Sequence, residues 1–280
     1  GIILMGDNIP DPESALTEQT ATWQGLYFDL GEAPLIVSID QEGGLVRRVD
    51  GDEGASPQEL RDGDPALVAE AFSTRGAYLR GLGVNVNFGI VADTTPDGVS
   101  FIYSRVLGTT PQAAADAVTA AVVGEQAGSQ GQVRSTIKHF PGHGLTSQDT
   151  HDEVALCGVD LEEWKSGAAL PFEAGIDAGA DLVMVGHMVC PSVSDQPASI
   201  SSQWNQVLRE ELGYDGVVIT DDLSMLTATG DPALTDPAAN AVAALGAGAT
   251  FALSIGGFDG AEATAYAHSL VDRIVQAVES

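Results

Sequence analysis

Short apolar runs rich in β-branched residues alternate along this chain with longer stretches whose apolar positions recur at helical spacing. Candidate strands lie at 2–5, 35–39, 84–88, 133–137, 182–185, 217–220 and 251–255. Candidate helices lie between and after them, at 66–82, 111–127, 161–178, 203–212, 237–245 and 261–278. The alternation of strand and helix predicts a parallel sheet built from βα units. Asp160, followed three residues later by Glu163, predicts an N-cap for the helix at 161–178. The segments 93–100 and 222–237 read as extended loops, which in α/β enzymes border the functional site. Repeats and linkers are absent from the pattern, so 1–280 reads as a single α/β domain. The expected fold is a (β/α)8 TIM-type barrel. Its first β/α element is expected to be the missing one, because the chain opens directly on a strand. An open doubly wound sheet would want a GxGxxG turn after an early strand, and none follows one.

Composition narrows the function. The net charge is −29, with two lysines in the chain, Lys138 and Lys165. Such an acidic chain repels nucleic-acid phosphates, which excludes nucleic acid as a partner. No apolar run reaches the roughly 18 residues of a membrane span. The two cysteines, Cys157 and Cys190, are flanked by apolar residues and read as buried free thiols rather than a disulfide.

Polar residues collect just past the predicted strand ends: Asp40 after LIVSI, Lys138 and His139 after VRSTI, His187 after LVMVG, Asp221 after GVVIT. A parallel barrel gathers its chemistry at that face. The segment KHFPGHGLTSQDTHDE, 138–153, holds His139, His143 and His151. A metal site is disfavoured there by the absence of HExxH and of a nearby cysteine, and by the loop-forming Pro141, Gly142 and Gly144. Asp149 stands two residues before His151, and a carboxylate bonded to an imidazole suits it for proton donation near neutral pH. In GVVITDDLSM, one of the adjacent Asp221 and Asp222 can face the barrel axis and attack an anomeric carbon, while the other caps the following helix. In SIDQEGGLVRR, Gly43 and Gly44 permit a tight turn, Asp40 can accept from sugar hydroxyls, and Arg48 can return a charge to the site.

Taken in order, IDQEGGLVRR, KHFPGHG with its D-x-H pair, and GVVITDDLSM resemble glycoside hydrolase family 3, specifically its bacterial β-N-acetylglucosaminidase branch, over residues 1–257. The resemblance implies a retaining glycosidase that cleaves terminal β-linked N-acetylglucosamine, with Asp221 as nucleophile, His151 as general acid/base and Asp149 as its partner. It implies sugar contacts from Asp40, Arg48, Lys138 and His139, and adds Arg105 of YSRVLG; His187 joins the candidate substrate contacts from its place at a strand end. It implies neither cofactor nor metal, a small carbohydrate as the ligand, and a monomer. Thr150 stands where the family usually has Ser, and Leu145 where a polar residue is common. The competing expectations are a family 3 enzyme for a β-glucoside or β-xyloside, and a sugar-binding barrel without turnover.

Overall fold

The computed structural model describes residues 1–148, 155–255 and 260–279. Among them, six strands form one sheet: β1 (Ile2–Leu4), β2 (Val37–Ile39), β3 (Val86–Val91), β4 (Arg134–Phe140), β5 (Leu182–Val185) and β6 (Val217–Thr220). They pair in chain order, every pair parallel. The strands are short and mostly buried on both faces, as apolar runs covered on each side must be. One face carries Val86, Phe88, Leu182, Met184 and Ile219 in a single cluster, joined by Ile3 and Leu253. A cavity of about 210 Å³ is lined both by Ile2 and Ile3 of the first strand and by 251–254 beyond the last. The sheet is therefore curled, its two ends facing across this space.

The predicted seventh strand, 251–255, is a correction. It contributes a lone parallel bridge, Ile219 to Phe251, rather than a ladder. Side-chain hydroxyls occupy positions that ladder carbonyls would take: Thr250 Oγ1 accepts from Val218 N at 3.2 Å, and Thr220 Oγ1 from Leu253 N at 3.0 Å. At the bridge the parallel pattern holds, Phe251 N donating to Val218 O and Thr220 N to Phe251 O, each at 3.1 Å, and it fails on either side.

Helices α1 (Leu16–Asp29), α2 (Pro57–Leu60), α3 (Pro65–Gly81) and α4 (Pro111–Ser129) cover the first half of the sheet. The second half carries α5 (Leu161–Ser166), α6 (Ala169–Asp177), α7 (Ser202–Gln206), α8 (Ser224–Ala228), α9 (Pro237–Ala247) and α10 (Gly260–Glu279). Helix α1 was not predicted, and its residues show why. Only Leu16 and Thr20 are buried, and polar side chains dock it: Thr20 Oγ1 donates to Leu82 O, and the Gln24 amide brackets the backbone of Leu35. The helix expected at 161–178 is two helices, because Pro171 lacks the N–H that would bond to Gly167 and its ring crowds that carbonyl. Asp160 caps α5 as predicted, accepting from Glu163 N at 2.9 Å. The 222–237 segment is not a bare loop; it holds α8 and a 3₁₀ turn, Pro232–Leu234. The close approach of α3 and α4 depends on small residues. A Cβ on Gly124 or Gly128 would strike the backbone of Ala69 or Ser73.

Two features fix the strand ends that matter for chemistry. Phe140 packs edge-on against Trp164, Phe172 and Trp204, with ring centroids 5.4–5.7 Å away, and Trp164 Nε1 donates to Pro141 O at 2.8 Å. This cluster pins the end of β4. The second feature corrects the free-thiol expectation: Cys157 and Cys190 form a disulfide. The residues before them lie side by side, with Cys157 N donating to Val189 O and Val189 N to Ala155 O, both at 2.9 Å. That pairing brings the two Cα atoms to 4.8 Å. A C157A/C190A variant is expected to lose about 3–4 kcal/mol of stability, from the loop entropy released by a separation of 33 residues, read by urea unfolding. An unchanged midpoint would show that the bridge contributes nothing. No described helix is long and apolar enough to cross a membrane.

Candidate active site

The C-terminal ends of the strands supply one polar cluster. Past β2 the chain turns sharply at Gly43 and Gly44, with φ of 86° and 62°, conformations a Cβ would disfavour. Glu42 N donates to Val46 O at 3.0 Å across that turn. This brings Asp40, Glu42 and Arg48 to one rim. The loop after β3 brings Asp93 and Arg105, the end of β4 brings Lys138 and His139, the end of β5 His187, and the end of β6 Asp221.

Glu42 is the anchor of this cluster. Its carboxylate is fully buried and takes a forked pair of bonds from Arg105, Nε to Oε2 at 2.9 Å and Nη2 to Oε1 at 2.6 Å. Lys138 Nζ reaches the same Oε1 at 2.7 Å and Asp40 Oδ1 at 2.8 Å. Burial alone would raise the pKa of Glu42, but the charges of Lys138 and Arg105 outweigh it and hold the group down at about 2. Burial likewise opposes the charge on Lys138, and Asp40 and Glu42 reverse that, so its pKa is raised. The Arg105 pKa is raised too: Glu42 overcomes the burial that would lower it.

Asp93 plays a parallel part for His139. Its carboxylate meets His139 Nδ1 at 2.7 Å and accepts the backbone N–H groups of His139 and His143. The far side of the ring, Nε2, lies 3.2 Å from Arg105 Nη2. Arg48 reaches toward Asp40, Nη2 to Oδ2 at 3.9 Å, while its Nε is a buried donor with no partner among the described residues. The rest of the Arg48 side chain is partly exposed on the rim, where a ligand can reach it.

Asp221 N donates to Val185 O at 2.8 Å, which extends the β5–β6 pairing to the start of the acidic pair. One carboxylate oxygen of Asp221 accepts Asp222 N at 2.8 Å. Burial works against its ionisation, yet His139, His187 and Lys138 around it prevail and lower its pKa to about 2. Asp221 is thus a ready anion at neutral pH. Asp222 turns away to serve the chain: it accepts Ser224 N at 3.0 Å and Ile255 N at 2.9 Å, and Ser224 Oγ as well. His187 is buried with both ring nitrogens engaged, Nδ1 with Ser199 Oγ at 2.7 Å and Nε2 with Asp222 O at 2.9 Å. Burial lowers its pKa.

The structure thus brings Asp40, Arg48, Arg105, Lys138, His139, His187 and Asp221 to one end of the sheet. Asp149 and His151 lie outside the described residues. Leu156 N donates to Gln148 Oε1 at 3.0 Å. Sequence reasoning missed two buried carboxylates. Asp93 follows an apolar run just as Asp40 and Asp221 do, so the same strand-end signal marks it. Glu42 lay inside a motif already singled out, IDQEGGLVRR. Among the described residues, no three His, Cys, Asp or Glu side chains are grouped as metal ligands.

Comparison with known proteins agrees with this geometry. The glycosyl hydrolase family 3 N-terminal domain matches residues 1–278. A β-hexosaminidase of Nitrosomonas eutropha is 35% identical over 254 residues, covering 87% of this chain and 71% of its own. The solved structure of a family 3 β-N-acetylglucosaminidase from Paenibacillus sp. str. FPU-7 superposes with a TM-score of 0.89 at 33% identity, over all of this chain and 52% of the other. NagZ of Neisseria gonorrhoeae, solved with N-trifluoroacetyl-D-glucosamine, gives a TM-score of 0.78 at 29% identity, over 91% of this chain and 73% of that protein. A curled parallel α/β sheet with its polar cluster at the strand ends defines the general class. Within it, the chain belongs to glycosyl hydrolase family 3. It spans about half the length of the Paenibacillus enzyme it resembles.

Proposed function

We propose that this chain is the catalytic domain of a retaining β-N-acetylhexosaminidase that releases terminal β-linked N-acetylglucosamine from cell-wall or chitin-type glycosides. The observation that carries the reading is Asp221, held as an anion at the same sheet end as Asp40, Arg48, Arg105, Lys138 and His139. We take the curled sheet and the 250–253 rung to be the greater part of a (β/α)8 TIM-type barrel, one domain across 1–280 that acts as a monomer. The sugar preference is supported by the names of the relatives and by the acetamido-type ligand of the Neisseria protein.

In this mechanism a carboxylate oxygen of Asp221 attacks the anomeric carbon. The bond to the aglycone breaks, and its oxygen takes a proton from His151, which Asp149 orients. Water then gives a proton to His151 and bonds to the anomeric carbon, freeing the Asp221 carboxylate with net retention. Asp40 and Lys138 bind sugar hydroxyls, and Arg48 offers the exposed part of its guanidinium. Arg105 and His139 line the sugar's other side. His187, whose nitrogens are spent inside the protein, holds the Asp222 carbonyl and forms the wall behind Asp221. The scheme needs no cofactor or metal.

The test is a panel of aryl β-glycosides with and without the 2-acetamido group, with product stereochemistry read by NMR. Retention and a preference for the acetamido sugar are expected; inversion, or a preference for glucosides or xylosides, refutes the proposal. His151→Ala is expected to slow poor leaving groups by about 10²–10⁴-fold and a dinitrophenyl glycoside by less than about tenfold, because only the former need a proton. Equal losses on both would remove His151 from the acid role.

A further inference from the structure

Behind the rim that carries Asp40 and Arg48 lies a buried polar chain that the proposed reaction does not touch. It begins at Glu125 on α4, which is fully buried. Glu125 Oε1 accepts from Asn87 Nδ2 at 2.5 Å. Asn87 lies on β3 between Val86 and Phe88, which face the inner cluster, so its side chain turns toward the helices. The Asn87 amide also grips the backbone of Gln41: Oδ1 accepts Gln41 N at 3.1 Å, and Nδ2 donates to Gln41 O at 3.2 Å. Gln41 stands between Asp40 and Glu42. Its side chain closes the loop beyond them, Oε1 accepting Arg48 N at 2.8 Å and Val49 N at 3.2 Å, and Nε2 donating to Val49 O and Asp52 Oδ2, each at 3.0 Å. Asp52 is held in turn by Arg75 Nε at 2.7 Å. A Cβ on Gly89 would collide with Gln41 O and the Asn87 amide, so the bare backbone at 89 is what lets this contact form.

We propose that Glu125 is a positioning residue for the sugar-binding rim: through Asn87 and Gln41 it sets where Asp40 and Arg48 stand. The proposal rests on the reading of that rim as the sugar's wall. Every polar atom of Gln41, backbone and side chain, is committed, so a shift of Asn87 moves the peptide next to Asp40 and the N–H of Arg48 together. Among the described residues Asn87 has one side-chain partner beyond Gln41, and it is Glu125. The groups facing Glu125 are Asn87 from β3, Arg75 from α3, Asp52 from the rim loop and Asp181 ahead of β5. Burial dominates over Asn87 and Arg75 and raises its pKa to about 8, so at neutral pH Glu125 is mainly the uncharged acid. An uncharged acid serves Asn87 through a carbonyl-type oxygen, which glutamine also has and leucine lacks.

The experiment compares wild type with E125Q, E125L and N87A in two measurements: kcat and KM on an aryl N-acetyl-β-glucosaminide, and amide hydrogen exchange over residues 41–49 without substrate. E125Q is expected to keep wild-type KM and exchange. E125L is expected to raise KM about tenfold, the worth of one buried hydrogen bond, with kcat changed less, and to speed exchange at Gln41, Arg48 and Val49. N87A breaks the same chain from β3 and is expected to match E125L; it also decides the question if E125L does not fold. Unchanged exchange in both E125L and N87A overturns the proposal, as does faster exchange with unchanged KM. An E125Q variant that behaves like E125L overturns it too, since the oxygen offered to Asn87 would then not be what holds the loop. If wild type cleaves no glycoside, it is the functional reading that fails, and exchange alone judges whether Glu125 holds the loop.

Discussion

Asp221→Ala is expected to lower turnover of an aryl N-acetyl-β-glucosaminide by about 10⁴-fold or more, while N-acetylglucosamine still binds. The size follows from the role: removal of a nucleophile deletes the covalent route, and what remains is water attacking a bound sugar without activation. The structure makes Asp221 suited to that role. Its backbone is fixed by the bond to Val185 O, one oxygen is oriented by Asp222 N, and the second has no hydrogen-bond partner among the described residues. The lowered pKa, about 2, has a consequence for pH profiles. The nucleophile stays ionised as pH falls from 7 toward 3, so any acid limb of kcat/KM in that range belongs to another group. Asp221→Asn keeps the shape and removes the charge; it is expected to be as inactive as the alanine variant. Activity within tenfold of wild type in either variant, with sugar binding intact by calorimetry, would remove Asp221 from the chemistry.

How far the sequence could be read depends on whether a feature is local. Strands β1 to β6 were legible because runs such as LVMV and VVIT are buried almost throughout and need no partner information to be recognised. Their boundaries shifted where the chain runs on into the site: β4 extends to Phe140 because Lys138 and His139 continue the strand into the cluster. Helix α1 was illegible, and the irregularity of the predicted 251–255 strand was too, for one physical reason. Both are docked by polar side chains, Thr20 and Gln24 in one case, Thr220 and Thr250 in the other, and hydrophobic periodicity is blind to that. Most of the site was legible because each member follows its own strand. The roles of Glu42 and of the cysteine pair were not, since they arise where segments distant in sequence converge. Glu42 meets Arg105 across 63 residues, and Cys157 meets Cys190 across 33.

Glu42→Gln tests the most charged of those convergences, and it is expected to damage both activity and stability. The substitution keeps the shape but leaves Lys138 and Arg105 buried with one carboxylate fewer. Lys138 would then rest on Asp40 alone, drawing Asp40 away from the sugar, and Arg105 would lose the fork that aims it at His139. Misplacement of two contact residues by about an ångström is expected to lower kcat/KM about 10²-fold. The stability effect carries a sign that depends on pH. Glu42 has a pKa near 4.5 when exposed and about 2 in the folded chain, so its contribution is complete above pH 4.5 and fades as pH falls toward 2. A shift of that size corresponds to about 3 kcal/mol. Wild type should therefore exceed E42Q in urea-unfolding stability by a constant margin from pH 5 to 8, and the margin should shrink below pH 4.5. Removing one partner of a buried ion pair costs more than the pair itself contributes, because the cations left behind are desolvated without compensation. An E42Q protein that matches wild type in stability at pH 7 and in kcat/KM would show that Lys138 and Arg105 are held by other means, and the site's construction around Glu42 would be wrong.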